Sequence, residues 1–359
     1  MAHMHFIDAD RLRAAIRYLV AGFGSEPREI ELVTENLVQA NLTGHDSHGV
    51  GMLPRYAESL REGGLKPNAH IETRMDSGAM IGLDGQSGFG QVIGHEVMEL
   101  GIERAREHGS CIIGVANSHH LCRIGAWAEM AVAQGLVSIH FVNVLSRPIV
   151  APWAGGDARF GTNPFCVGIP VKGENPILLD FATSVIAQGK ARVAHNKREP
   201  LAEGQLIDHE GRPSTDPAYA VHPPYGALRA FGEHKGYGLA LVCEILGGAL
   251  AGGMTQRQPA DGRRRVVNGM LSIIFDPSRL ADESVFEREM KGFLAWVTDS
   301  PRQHGHDRVR VAGEPEREYR AKRLADGVPV DENTWKELLS TCDQLKLDRA
   351  EFARKAGVV

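Results

Sequence analysis

The sequence predicts an α/β protein with helical ends, on three observations. Residues 8–66 carry apolar side chains at helical spacing, residues from 79 to 276 alternate strand-like and helix-like runs, and the stretch beyond 300 is charged and helix-like. Strands and helices in alternation build sheets covered by helices. The chain has 359 residues, 43% hydrophobic and 24% charged, which suits two or three domains or one large α/β body with appendages.

In the opening region, "DADRLRAAIRYLVAGFG" (8–24) places leucine and isoleucine at helical spacing and ends on glycine. "SEPREIELVTENLVQANL" (25–42) offers Ser25 as N-cap and Pro27 in the first turn. "MLPRYAESLREGGLKP" (52–67) gives a third, shorter helix stopped by Gly63 and Gly64. The pattern then changes. "AMIGLDG" (79–85) predicts a strand, "FGQVIGHEVMELGIERAREHG" (89–109) an amphipathic helix, and "SCIIGVANS" (110–118) a strand. "IGAWAEMAVAQG" (124–135) is helical, and "LVSIHFVNV" (136–144), "CVGIPV" (166–171), "ILLDFAT" (177–183) and "GMLSIIFD" (269–276) are strands. "GYGLALVCEILGGALAGG" (236–253) is apolar on most sides and predicts a buried helix. "DENTWKELLSTCDQL" (331–345) is the clearest helix of the tail.

Net charge is −5, and the one basic run, Arg263–Arg265, predicts a solvated loop rather than a nucleic-acid footprint. The five cysteines form no C-x-x-C pair, which suits free thiols in a reducing compartment. No signal-peptide core opens the sequence and no window of 18 uncharged apolar residues occurs. The expectation is a cytoplasmic protein with no membrane or nucleic-acid partner.

Five segments carry the chemistry. "GHDSHGV" (44–50) follows a helix. It suits a helix stop with Gly44 as cap, a metal site on His45 and His48, or a general acid–base histidine. "NSHHLCRIG" (117–125) follows a strand and crowds Asn117, Ser118, His119, His120 and Arg123 into one loop, where α/β proteins expose functional groups. Arg123 has the planar fork that grips a carboxylate. "RFGTNPFCVGIP" (159–170) contains the turn dipeptide Asn163–Pro164. "LLDFATS" (178–184) puts Asp180 in an apolar run, where it needs a partner: it can orient a histidine or cap the next element. "GEHKGYG" (232–238) sets His234 and Lys235 at a helix start, a phosphate seat or plain capping. "GFGQVIG" imitates a dinucleotide fingerprint, but Gly94 falls one residue late. Asn117 stands where the acidic residue belongs, so Gly88, Gly90 and Gly94 are expected to serve a tight turn.

Taken in order, "GHDSHGV", "NSHH", "RFGTNPF", "LLDFATS", "EHKGY" and the late "AGEPE" (312–316) resemble the malate/L-lactate dehydrogenase family of the second type, nearest its bacterial hydroxycarboxylate branch. The resemblance implies a large mixed β-sheet that binds NAD(P) and is not a Rossmann fold. It implies a helical unit made from both ends, 1–75 plus 300–359, around a cofactor domain, 76–299. It implies a homodimer with the active site near the partner, and reversible hydride transfer between NAD(P)H and a small 2-oxo acid; the branch favours NAD, with NADP possible. His48 becomes the leading proton donor, with His120 as second candidate and Asp180 as the group holding one histidine's tautomer. Cofactor contacts fall to His48, Cys122, Arg123, Ile124, Thr162, Asn163, Leu178, Leu179, Asp180, Phe181, Ala182, His234, Lys235, Asn268, Val311, Ala312, Gly313 and Glu314. Substrate contacts fall to Ser47, Met52 and Arg123. No metal is expected; the alternative is a metal-dependent hydrolase built on the paired histidines. The sequence departs from the family at Met52, where many members have arginine, at Cys122, where many have glycine, and at Ala312, where many have proline. An apolar residue at 52 favours substrates with less polar tails.

Overall fold

A computed structural model describes residues 4–257 and 266–358; the Arg263–Arg265 triplet lies outside them. The chain opens with β1 (Met4–Ile7), α1 (Ala9–Ala21), α2 (Pro27–Leu42) and α3 (Leu53–Arg61). Next come β2 (Glu72–Asp76), β3 (Met80–Asp84), α4 (Gly90–His108), β4 (Ser110–His119), α5 (Gly125–Val132), β5 (Val137–Leu145), β6 (Phe165–Ile169) and β7 (Ile177–Phe181). An excursion follows: α6 (Gln188–Lys197), β8 (Leu206–Ile207), β9 (Pro213–Ser214), α7 (Ala218–Val221) and β10 (Ala227–Leu228). The chain closes with α8 (His234–Cys243), β11 (Val267–Phe275), α9 (Glu283–Thr298), α10 (Glu314–Asp326), β12 (Val328–Asp331), α11 (Glu332–Gln344) and α12 (Arg349–Ala356).

Both chain ends share one apolar core. Leu12, Ile16, Leu19, Leu37 and Tyr56 from the first helices pack with Val328, Trp335, Leu338 and Phe352. Burying each such side chain contributes about 1.5–3 kcal/mol. Asp8 starts α1 by accepting the N–H groups of Asp10 and Arg11 at 3.0 and 3.1 Å. At α2 the expected cap is not made. Glu26 holds the N-cap position, Pro27 begins the helix, and the Ser25 hydroxyl instead donates to Glu29 at 2.6 Å. Nor is the opening purely helical. β1 pairs antiparallel with β12, Met4 opposite Asp331 and Ile7 opposite Val328, so the two ends are stitched by backbone bonds.

The main sheet has seven strands in the order β2-β3-β4-β11-β5-β6-β7. Only β3 and β4 are parallel, joined by the α4 crossover; every other pair is antiparallel. The sheet is therefore mixed, as the resemblance implies. The glycines of "GFGQVIG" do more than turn the chain. Gly88 closes a turn on Gly85, but a Cβ on Gly90 would lie 2.0 Å from the His120 carbonyl and one on Gly94 2.4 Å from the Trp127 ring. They let α4 lie tight against the loop after β4. The predicted buried helix at 236–253 divides into α8 and a π-helical run, Glu244–Leu250. It is not buried all round in this chain: Ile245 is 47% and Leu250 65% exposed.

Candidate active site

The segment 44–50 ends α2 and carries the leading histidine. Gly44 takes a left-handed φ of +86°, as a helix stop requires. A short 3-10 turn, Asp46–His48, follows. Asp46 anchors it, accepting from Asn41 Nδ2 at 2.7 Å and from both ends of the Arg323 fork at 2.6 and 3.0 Å. Asn41 Oδ1 in turn accepts the Val50 N–H at 2.8 Å. A Cβ on Gly49 would sit 2.0 Å from that same oxygen, so glycine is required there. The aspartate and glycine of the motif thus hold the loop, and the loop holds His48.

His48 meets the loop after β4. Its ring stacks on His120, centroids 5.3 Å apart and 19° from parallel, with His48 Nδ1 3.3 Å from His120 Nε2. His120 Nδ1 lies 2.8 Å from the Tyr56 hydroxyl. Behind Tyr56 stand Gln91 Nε2 at 3.1 Å and Cys122 Sγ at 3.2 Å. Burial, reinforced by the positive charges of His45 and Arg123, pulls His48 down to about 4. Burial also holds His120 well below the usual imidazole range. Both rings are neutral bases near neutral pH. Tyr56 and Gln91 escape the sequence reading because helical periodicity absorbs them as core positions. The signal was the polar group itself: Gln91 stands among buried Phe89, Val92 and Ile93 on the inner face of α4.

Asp180 does not orient an imidazole. Its Oδ2 accepts the Gly125 N–H at 2.7 Å, at the start of α5, and it faces Arg123. Burial raises the Asp180 carboxyl, with His45 and Arg123 opposing that rise. Asp180 does cap a helix, but that helix is α5, which lies earlier in the chain, and not the element that follows Asp180. Arg123 is buried, 4% exposed, and donates to Glu129 at 2.5 Å. Its fork is engaged within the protein rather than free in solvent. Asn163 is spent inward as well: Oδ1 accepts from Val144 N at 3.1 Å, and Nδ2 donates to Ala240 O and Glu244. Thr162 offers its carbonyl to Thr183. Asn268 Oδ1 accepts the Leu121 N–H at 2.8 Å and its amide donates to Asn143 O, so it pins the loop that carries His120. His45 turns to Glu316 at 3.4 Å, away from the partner that His48 takes. Among the described residues, no group of three His, Cys, Asp or Glu side chains is arranged to hold a metal ion.

Four of the cofactor candidates converge. Arg123, Leu178, Asp180 and Gly313 line one cavity of about 60 Å³ together with Thr43, Glu129, Glu316, Arg317 and Arg320. The Val311–Glu314 turn is fastened there, Leu178 N bonding Ala312 O at 3.1 Å and Glu314 accepting from Val311 N at 2.9 Å. Arg317 and Arg320 donate only to neutral oxygens, of Pro176 and Gln39. The cavity also holds the carboxyls of Glu129, Asp180 and Glu316 opposite its three guanidinium groups; Arg317 and Arg320, bonded to neutral oxygens, are the pair left to meet the diphosphate of a nicotinamide dinucleotide, whose bulk lies outside so small a cavity. Ile124 is buried at the start of α5. Leu179, Ser47, His234 and Lys235 are exposed; His234 packs edge-on against Trp153 at 5.8 Å. Met52 is half-buried against the helical core.

Comparison with known proteins agrees with this architecture. A family model for malate/L-lactate dehydrogenase matches residues 7–339. Hydroxycarboxylate dehydrogenase B of Escherichia coli (strain K12) is 45% identical over 95% of this chain and 94% of its own length. L-lactate dehydrogenase of Cupriavidus necator is 40% identical over 85% of this chain and 88% of its own. The solved sulfolactate dehydrogenase of Methanocaldococcus jannaschii superimposes with a TM-score of 0.86 at 30% identity, covering 97% of this chain and 99% of that one. With nearly its whole length matched in sequence and in fold, the chain belongs to the malate/L-lactate dehydrogenase family.

Proposed function

We propose that this chain, an oxidoreductase interconverting 2-hydroxy acids and 2-oxo acids, works with NAD and uses His48 as the proton partner of the substrate oxygen. The observation that carries the reading is the stacked His48–His120 pair on two pinned loops, with Arg123, which lines a cavity with Leu178, Asp180 and Gly313, near enough to depress the His48 imidazole. When bound, the cofactor gives or takes the hydride. A neutral His48 can accept the hydroxyl proton of a 2-hydroxy acid at once. To serve a 2-oxo acid it must first be protonated, and an arriving substrate carboxylate favours that charge. Replacing His48 by alanine should leave NADH affinity intact and slow the chemical step by roughly 10²–10⁴-fold in single-turnover measurements. An unchanged step would pass the role to His120.

Met52 supports a preference for substrates with larger, less polar tails, since no guanidinium stands at that place to pair a second carboxylate. Arylpyruvates should be turned over at least as efficiently as oxaloacetate, and Met52→Arg should move the ratio of kcat/KM toward oxaloacetate. A clear win for oxaloacetate in the unaltered protein would refute this. The chain ends, 1–75 plus 300–359, act as the unit that brings His48 to the cofactor domain, 76–299. Two apolar strips support a homodimer: Phe293 and Trp296 on α9, stacked on each other and 62% and 74% exposed, and the Ile245–Leu250 face. Sedimentation should give twice the chain mass. Five buried, unpaired thiols suit a reducing cytoplasm.

A further inference from the structure

Tyr56 and Cys122 have no chemical role in the proposed function, yet both are bonded to His120, at 2.8 and 3.7 Å from its Nδ1. Tyr56 is fully buried, and its hydroxyl touches His120 Nδ1, Gln91 Nε2 and Cys122 Sγ at 2.8, 3.1 and 3.2 Å. The sulfur also receives Gln91 Nε2 at 2.8 Å. Cys122 pays a conformational cost to be there. Its φ is +58°, the left-handed region that glycine occupies freely and a side chain does not. This chain accepts that strain and gains a sulfur acceptor 3.2 Å from the Tyr56 oxygen.

A tyrosine hydroxyl has one proton to give. If it goes to His120 Nδ1, then His120 carries its proton on Nε2 and donates to His48 Nδ1. His48 then holds its single proton on Nε2, facing outward, and cannot take another from a substrate hydroxyl at that nitrogen. If the Tyr56 proton goes to sulfur, the Tyr56 oxygen is free to accept His120 Nδ1–H, the thiol's own S–H points away from that nitrogen 3.7 Å off, and every bond in the row reverses. We propose that Cys122 and Tyr56 are positioning residues. The sulfur takes the Tyr56 O–H, the Tyr56 oxygen accepts His120 Nδ1–H, His120 Nε2 accepts His48 Nδ1–H, and His48 presents a bare Nε2 to the substrate.

All four groups are neutral in this arrangement, and no charge is placed in the buried row. Oxidation of a 2-hydroxy acid moves the hydroxyl proton to His48 Nε2, with the hydride leaving carbon for the nicotinamide. His48 Nδ1–H stays on His120 throughout, so the imidazolium and the neutral ring share one orientation. The inference rests on His48 as the substrate's proton partner, but its test does not depend on turnover.

The test is the tautomer of His48 and His120 in the full-length protein without substrate, read from ¹⁵N spectra of ring-labelled histidine. His48→Ala and His120→Gln identify the two signals by their loss. Both rings should be in the Nδ1–H form, the tautomer that free imidazole side chains disfavour. Tyr56→Phe keeps the buried ring and removes the oxygen, so both rings should revert to Nε2–H. Cys122→Gly should do the same, because the Tyr56 proton then turns to His120, while Cys122→Ser restores an acceptor and with it the Nδ1–H signals. In parallel, Cys122→Gly should lower kcat about tenfold, although removing the strained φ leaves melting temperature equal or higher. A merely structural thiol would not separate kcat from stability in this way. Nε2–H signals in the unaltered protein, or Nδ1–H signals that persist in both Tyr56→Phe and Cys122→Gly, would overturn the proposal. Loss of the His48 role with these signals as expected would overturn only the functional reading. Should Tyr56→Phe fail to fold, Cys122→Gly decides alone.

Discussion

His48 owes its place to residues that do no chemistry. Asp46, Gly49 and Asn41 fix the loop, and Arg323 reaches it from α10. Replacing Gly49 by alanine drives a methyl into the Asn41 amide and forces the loop to shift. That overpacking should cost about 1–3 kcal/mol of stability and lower kcat more than KM, measured by denaturant unfolding and steady-state kinetics. An unchanged kcat would mean the loop absorbs the methyl without moving the imidazole. At this scale the sequence was legible where a motif concentrates unusual groups, as at His45–His48 and His119–His120. It was not legible for Tyr56 and Gln91, whose spacing satisfies a helix's inner face, so the polar atom at the end of each side chain leaves the pattern unbroken. Asp180 shows the converse. An acid in an apolar run announces a partner, but whether the partner is an imidazole or a helix N–H depends on which element folds beside it.

Elements with a strong period declared themselves, and short or one-sided ones did not. α4, β4, α5 and β5 fall where alternation puts them. β1 and β12 have four residues each, too few for a period, and derive their stability from each other across the length of the chain. β2 is exposed along its whole length and reads "ETRMD", a charged edge strand with no apolar face to betray it. α5 depends on a cap supplied from another strand, since Asp180 on β7 accepts the Gly125 N–H. Asp180→Asn keeps the size and removes the charge that faces Arg123. We expect a lower melting temperature together with weaker NADH binding, because Arg123 is then left buried with Glu129 alone. Equal binding by calorimetry would detach this pair from the cofactor site.

Acid sensitivity belongs to the whole molecule. His120 and His140 are buried and His48 half-buried in their neutral forms, His140 held to about 3 by burial among Ser138 and Ser272. Each has a folded pKa below its unfolded value near 6.5, so on acidification the unfolded chain binds protons first. Stability should therefore be complete above pH 6.5 and decline as pH falls toward 4, before most carboxylates titrate. Melting temperatures measured across that range check it, and a flat profile would contradict the neutral burial of these rings. Catalysis follows the same titration with opposite consequences for the two directions. Reduction needs a proton on His48 and should lose kcat/KM as pH rises, while oxidation should hold its plateau down to mildly acid pH.

The bridge from Arg323 to Asp46 also orders events at the ribosome. A nascent polypeptide exposes its histidine loop early, but the guanidinium that seats it emerges 277 residues later, and the strand that zips against β1 later still. Polypeptides interrupted before Arg323 should therefore be catalytically mute rather than loosely active.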